Sequence, residues 1–135
     1  RKKIEKENIQ KATEIVAFMG LGHLENELAV NLPHGHQRAL GVAIALACEP
    51  SVLLLDEPLT GMTPTEKARM IELIRKVHQQ GITILMVEHD MRSVMELCNY
   101  ISVLDFGTLL VEGSPAEIQN DENVINAYLG TEDIT

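Results

Sequence analysis

Ser51-Val52-Leu53-Leu54-Leu55-Asp56-Glu57-Pro58 decides how this chain folds: an apolar run stops abruptly at two adjacent carboxylates and a proline. Ser51 to Leu55, mostly branched and apolar after the serine, predict a strand buried on both faces of a sheet. In open parallel sheets, ligands gather where such strands end. Side chains alternate across a strand, so Asp56 and Glu57 serve one ligand only if the chain bends immediately after Leu55. Pro58, which cannot extend a hydrogen-bonded ladder, supplies the bend. The alternative is a pair of acids that cap a strand and face water.

A second run, Ile82-Thr83-Ile84-Leu85-Met86-Val87, has a polar end of its own, Glu88-His89-Asp90. Between the two runs lies a well-marked helix. Thr63-Pro64-Thr65-Glu66 has capping-box spacing with proline at the first helical position, and Met70, Leu73, Ile74 and Val77 recur at helical spacing before Gly81 stops the helix. A right-handed crossover returns the second strand parallel to the first. If the strands are neighbours, His89 emerges at the sheet edge that carries Asp56 and Glu57.

That constellation suits hydrolysis of a phosphoanhydride, which asks a protein mainly to position groups and offset charge. Asp56 fits the role of holding Mg²⁺ through water, Glu57 that of activating the attacking water, and His89 that of contacting the terminal phosphate. The competing reading of His89 is an imidazole that satisfies a backbone group at a strand end.

These residues stand in the order and spacing of a known family. From about Asn8 to Gly130 the chain resembles the C-terminal half of the nucleotide-binding subunit of ATP-binding-cassette (ABC) transporters. The family's Walker B motif matches Ser51 to Glu57, its switch histidine matches His89, and its signature L-S-G-G-Q matches Leu32-Pro33-His34-Gly35-His36, followed by Gln37-Arg38 and the apolar Ala39 to Ala47. Within the family it is most similar to the ATPases of branched-chain amino-acid importers, on Pro33, Gly61-Met62-Thr63-Pro64 and Val124-Ile125-Asn126-Ala127-Tyr128-Leu129-Gly130.

The resemblance implies an α/β chain with a partial P-loop NTPase fold, its mostly parallel sheet flanked by helices and lacking the Walker A strand and loop. It implies ATP and Mg²⁺ as cofactors, and two subunits that sandwich ATP. In each site the partner's Leu32, Pro33, His34, Gly35, His36 and Gln37 would reach the nucleotide, with Thr63 in the D-loop region. It further implies permease subunits in the membrane, a substrate-binding protein acting through them, and a cytoplasmic position on the inner face of the cell membrane. Three segments follow: 1–50 with the helical subdomain, signature and next helix, 51–113 with Walker B and the switch histidine, and 114–135 with terminal helices and a tail.

Pro33 has no hydroxyl or N–H, His34 replaces a glycine, His36 stands at the glutamine position, and Thr63 stands where an aspartate is common. Backbone N–H groups at the start of the following helix remain available to phosphate. No G-x-x-x-x-G-K-[ST] occurs, and the chain opens Arg1-Lys2-Lys3. The expectation is a piece of a longer subunit, inactive alone, with open sheet edges. Two other readings remain: a non-catalytic interaction half-domain, or the DNA-repair and chromosome-maintenance branch of these ATPases, whose coiled coils or zinc modules do not occur in this stretch.

A net charge of -9 and 3% aromatic residues argue against nucleic acid as a partner. The longest apolar stretch, Ala39 to Ala47, is far short of the roughly 20 residues a membrane-spanning helix needs. Cys48 and Cys98 lack C-x-x-C spacing and are expected to be reduced, partly buried packing residues. His23, His34 and His36 fall short of a metal-ligand pattern, and His78 lies near a helix end. The remaining expectations are a frayed Arg1 to Asn8, a helix over Ile9 to Met19, an alanine-rich helix from Gly35 to Cys48 buried nearly all round, and a short helix over Met91 to Cys98. Strands Tyr100 to Leu104 and Thr108 to Val111 follow, then a helix capped by Ser114-Pro115-Ala116-Glu117, a last helix over Asp121 to Leu129, and a loose tail.

Overall fold

Strand β1 runs Val52–Asp56 in the computed structural model, which describes residues 2–129. It pairs in parallel with β2, Thr83–Val87, in a register running from Val52↔Thr83 to Asp56↔Val87. The crossover is helix α3, Pro64–Gln79. Its start follows from Thr63-Pro64-Thr65-Glu66: the threonine side chain accepts from the Glu66 N–H, and the glutamate side chain accepts from the Thr63 N–H. Gly81, at φ +87°, reverses the chain into β2 as only glycine does without strain. Met70, Ile71, Ile74 and Val77 form the buried face of α3.

One expectation about β1 is corrected here. Leu53 and Leu55 are buried, but Leu54 is 70% exposed, and Val52, Leu85 and Val87 are exposed with it. Helix α2, His34–Leu46, lies with α3 on one side of the strand pair, where Val42, Ala45, Leu53, Leu55 and Met70 line a common cleft. Among the described residues nothing covers the other side. The apolar run therefore marks a two-faced strand of which one face is covered. Helix α2 likewise buries one stripe, Ala39, Val42 and Ala43, and leaves Ile44 exposed, so it is not buried all round.

Helix α1 spans Lys2–Phe18, so residues Lys2 to Asn8 are helical and not frayed, and Arg1 lies outside the described residues. Lysine, glutamate and glutamine are good helix formers, and the Gln10 side-chain amide donates to Glu14 one turn on. Its end is a Schellman motif: Gly20 at φ +72° donates to the Ala17 carbonyl and Leu21 donates to the Val16 carbonyl, with the Leu21 side chain buried. Lys11 of α1 pairs with Glu49 beyond α2.

Among the described residues, those up to Val87 make one compact unit and those from Glu88 onward a second. The second contains α4 (Met91–Leu97), the antiparallel hairpin β3 (Ile101–Asp105) and β4 (Thr108–Gly113), and the short helices α5 (Pro115–Gln119) and α6 (Glu122–Val124). A π-helical turn over Ile125–Leu129 follows α6. Asp105↔Thr108 is the last hairpin pair, and the ladder shifts register between Val103 and Leu104. Val94, Ile101, Val103, Ile118 and Val124 form this unit's core, and the Tyr128 hydroxyl donates to the Leu104 carbonyl. The tail read at Thr131 to Thr135 lies outside the described residues.

Among the described residues no helix is long and apolar enough to cross a membrane. Both cysteines are free thiols: Cys98 is half-buried, which pushes its thiol pKa up, whereas Cys48 is exposed and not the packing residue expected. Its place just past the end of α2, beyond the buried stripe, accounts for that.

Candidate functional site

At the carboxyl end of β1 the ladder continues one residue further than the sequence suggested. Asp56 still pairs with Val87, and the Glu57 N–H donates to the Val87 carbonyl at 2.8 Å. The chain then turns at Glu57 itself, at φ +44°. A positive φ is uncommon for a non-glycine residue, and a following proline restricts the backbone further. Such a conformation costs roughly 1–3 kcal/mol and persists only where the surroundings over-determine it. Here Pro58, Leu59 and Met62 are buried and pin the outgoing loop, while the Thr60 N–H donates to the Glu57 carbonyl at 3.3 Å.

The turn leaves Asp56 and Glu57 exposed and adjacent, with the Thr60 hydroxyl 3.4 Å from Glu57 Oε2. Asp56 borders a cleft of about 240 Å³ whose far wall is α2. Gln37 and Arg38, in the first turns of that helix, line the same cleft. One acid of the doublet thus shares a hollow with the end of the signature-like segment. The shared cleft was not legible in the sequence.

Leu32 to Gln37 lead into α2. Pro33 occupies the N-cap position and offers no side-chain cap, as its chemistry requires. The Gln37 side-chain amide instead folds back to donate to the Leu32 carbonyl at 2.9 Å. His36 is half-buried and meets His23 edge to face, ring centroids 6.2 Å apart, and its buried Nδ1 has no hydrogen-bond partner among the described residues. His34 is exposed, and its Cε1 lies 3.4 Å from where a Cβ on Gly61 would stand. Thr63 is the N-cap of α3. His78, near the end of that helix, places Nδ1 3.1 Å from the Ile82 carbonyl, a backbone role.

His89 belongs to the second unit, exposed, two residues along the chain from Val87, with its N–H donating to Glu88 Oε2 at 3.2 Å. Asp90 next to it caps α4 by accepting from the Ser93 N–H at 3.2 Å.

Among the described residues no three His, Cys, Asp or Glu side chains are grouped to hold a metal ion. Magnesium does not need such a cage: it is commonly held by one or two carboxylates, with waters and substrate phosphates completing its shell. An exposed Asp56 at a strand end beside a small cleft is a donor set of that kind.

Comparison with known proteins bears on the family and the fold. Residues 2–60 match the ABC transporter family model, and residues 108–134 match the model for branched-chain amino acid ATP-binding cassette transporters. The chain is 38% identical over 96% of its length to the high-affinity branched-chain amino acid transport ATP-binding protein LivG of Salmonella typhimurium, covering 51% of that protein. It is 35% identical over 93% of its length to BraF of Pseudomonas aeruginosa, a protein of the same description, covering 50% of it. Among solved structures it resembles MJ1267, an ATP-binding cassette of an ABC transporter in its ADP conformation, with a TM-score of 0.84, 26% identity, and coverage of 92% of this chain and 50% of that one. The chain spans about half the length of these relatives, and by motif, family model and fold it belongs to the ABC transporter ATP-binding family.

Proposed function

We propose that this chain acts within an ATP-hydrolysing subunit of an ABC importer for branched-chain or similarly apolar amino acids. The observation that carries the proposal is the strand end: two adjacent, exposed carboxylates stand where a parallel strand stops and the backbone turns at a positive φ. The substrate class is supported by the family model matched at residues 108–134 and by the relatives' descriptions.

In this reading Asp56 holds Mg²⁺ through water, and the ion, when bound, neutralises phosphate charge. Glu57 accepts a proton from the attacking water at its carboxylate, the strained turn fixing the direction in which that base points. His89, two peptide units beyond the strand that pairs with Asp56, donates to the terminal phosphate and steadies its developing charge. Leu32 to Gln37 meet the nucleotide of a second ATPase subunit, using backbone N–H groups where Pro33 and His34 lack the usual side chains. Thr63 lies in the loop that links the sites.

The phosphate loop is absent from these 135 residues and comes from outside them, so the isolated chain turns over no ATP. The complete subunit sits on the cytoplasmic face of the membrane against permease subunits, which receive cargo from a binding protein. Two substitutions in the complete subunit test the assignment. Asp56→Asn should raise the Mg²⁺ concentration needed for half-maximal turnover, and His89→Ala should lower turnover by on the order of 100-fold. Unchanged magnesium dependence in the first and wild-type turnover in the second would refute both roles.

A further inference from the structure

Glu66 does more than its place in a capping box requires. Its Oε2 accepts from the Thr63 N–H and from the Thr63 hydroxyl, both at 2.9 Å, which completes the start of α3. Its other oxygen reaches a different helix. A Cβ placed on Gly35 would stand 3.1 Å from Glu66 Oε1 and 3.3 Å from its Cγ, so the carboxylate lies against the Gly35 backbone, whose N–H helps hold it in its charged form. Gly35 is the second residue of α2, the helix whose N-cap is Pro33 and which has no side-chain cap of its own. One carboxylate therefore completes the start of its own helix and stands against the uncapped start of α2 across space. His34, the first residue of α2, lies beside Gly61, its Cε1 3.4 Å from where a Cβ there would stand.

We infer that Glu66 is a positioning residue that latches the Pro33 to Gln37 segment to the Gly61 to Thr63 loop, so that the two move together when a nucleotide is engaged. This rests on the reading that Leu32 to Gln37 meet the nucleotide of a second subunit. The latch needs both oxygens at once, and only a small residue at position 35 lets the carboxylate approach so closely. Glutamine at position 66 retains one acceptor oxygen and presents an amide donor in place of the other. It still completes a capping box. Glu66→Gln should therefore preserve α3 and remove the negative charge that lies against the Gly35 N–H.

The experiment uses the complete subunit with selectively labelled glycine amides, and follows Gly35 hydrogen exchange beside steady-state ATP turnover. Glu66→Gln should accelerate exchange at Gly35 and lower kcat by up to about 100-fold, with KM for ATP unchanged because no residue of the cis nucleotide site is altered. A second variant separates coupling from simple capping. Pro33→Ser with Glu66→Gln gives α2 a cap of its own, which returns protection to Gly35 without restoring the bridge to α3. With Pro33→Ser alone as the control for any contact the new hydroxyl makes with nucleotide, the latch predicts that kcat of the double variant stays as far below that control as Glu66→Gln stays below wild type. A double variant as fast as Pro33→Ser alone would show that Glu66 merely caps α2 and would overturn the inference. Unchanged Gly35 exchange in Glu66→Gln would overturn it on structural grounds alone, whatever the enzymology. A wild-type subunit that exchanges as predicted but hydrolyses no ATP would instead overturn the functional reading and the coupling role with it.

Discussion

Two strands of this molecule end alike and turn for different reasons. β1 ends in Asp56 and the next residue, Glu57, sits at φ +44°; β3 ends in Asp105 and the next residue, Phe106, also sits at φ +44°. In the hairpin the explanation is local. Phe106 and Gly107, at φ +44° and +76°, are the two central residues of a type I′ turn, the connection whose twist suits a two-residue hairpin. After β1 there is no hairpin to close, since the chain goes on into a crossover helix and returns in a parallel strand. The strain at Phe106 serves the fold. The strain at Glu57, in the function proposed above, serves the direction of a carboxylate.

Matched substitutions break or sharpen that comparison. The largest difference lies in activity: in the complete subunit Glu57→Gly should abolish measurable turnover, and Phe106→Gly should leave it unchanged. Comparable losses at both positions would mean that the β1 turn, like the hairpin, is only scaffold. The next effect is on stability, and it should be similar at the two sites. Glycine adopts positive φ freely, so each variant should gain about 1 kcal/mol in denaturant unfolding, after the entropy that glycine itself costs. A loss of stability in Glu57→Gly would show that side-chain contacts of Glu57, and not relief of strain, dominate there.

The smallest effect is acid sensitivity, and it sets the two capping boxes against each other. The Thr63 N–H and hydroxyl hold the Glu66 carboxyl below the usual range, and the Ser114 N–H and hydroxyl do the same for Glu117. A carboxyl whose pKa is lowered on folding stabilises the native state above its unfolded value, near 4.3, and that contribution is lost as pH falls through the lowered folded value. Unfolding followed below about pH 4 should therefore show stability falling with pH. Glu66→Gln and Glu117→Gln should each flatten that slope. The effect should be larger for Glu66, whose carboxylate also lies against the Gly35 backbone. Equal slopes would argue against the second contact.

Much of this architecture was legible because its signals are local. Thr63-Pro64-Thr65-Glu66 and Ser114-Pro115-Ala116-Glu117 state where α3 and α5 begin, and both capping boxes form. Two short apolar runs flanking one amphipathic helix made β1, α3 and β2 a parallel unit, and the register places Asp56 against Val87. What was not legible depends on distance across the chain. Nothing in an apolar run says which face lacks a covering layer, so the exposure of Leu54 and Leu85 came only with the structure. The bend was expected from Pro58 immediately after Leu55, yet the positive φ falls at Glu57, because the Val87 carbonyl extends the ladder by one more bond. The reach of Glu66 to Gly35 has no sequence signal beyond a helix that starts at a proline with no cap to offer.

The central claim is that Glu57 is the base for ATP hydrolysis and that the turn at the end of β1 exists to aim it. Glu57→Gln in the complete subunit, assayed for MgATP turnover and ATP affinity together, tests it most directly. The account predicts that ATP binding persists while turnover falls by on the order of 100-fold or more, because the amide keeps the shape and loses the base. Turnover at the wild-type rate would contradict it.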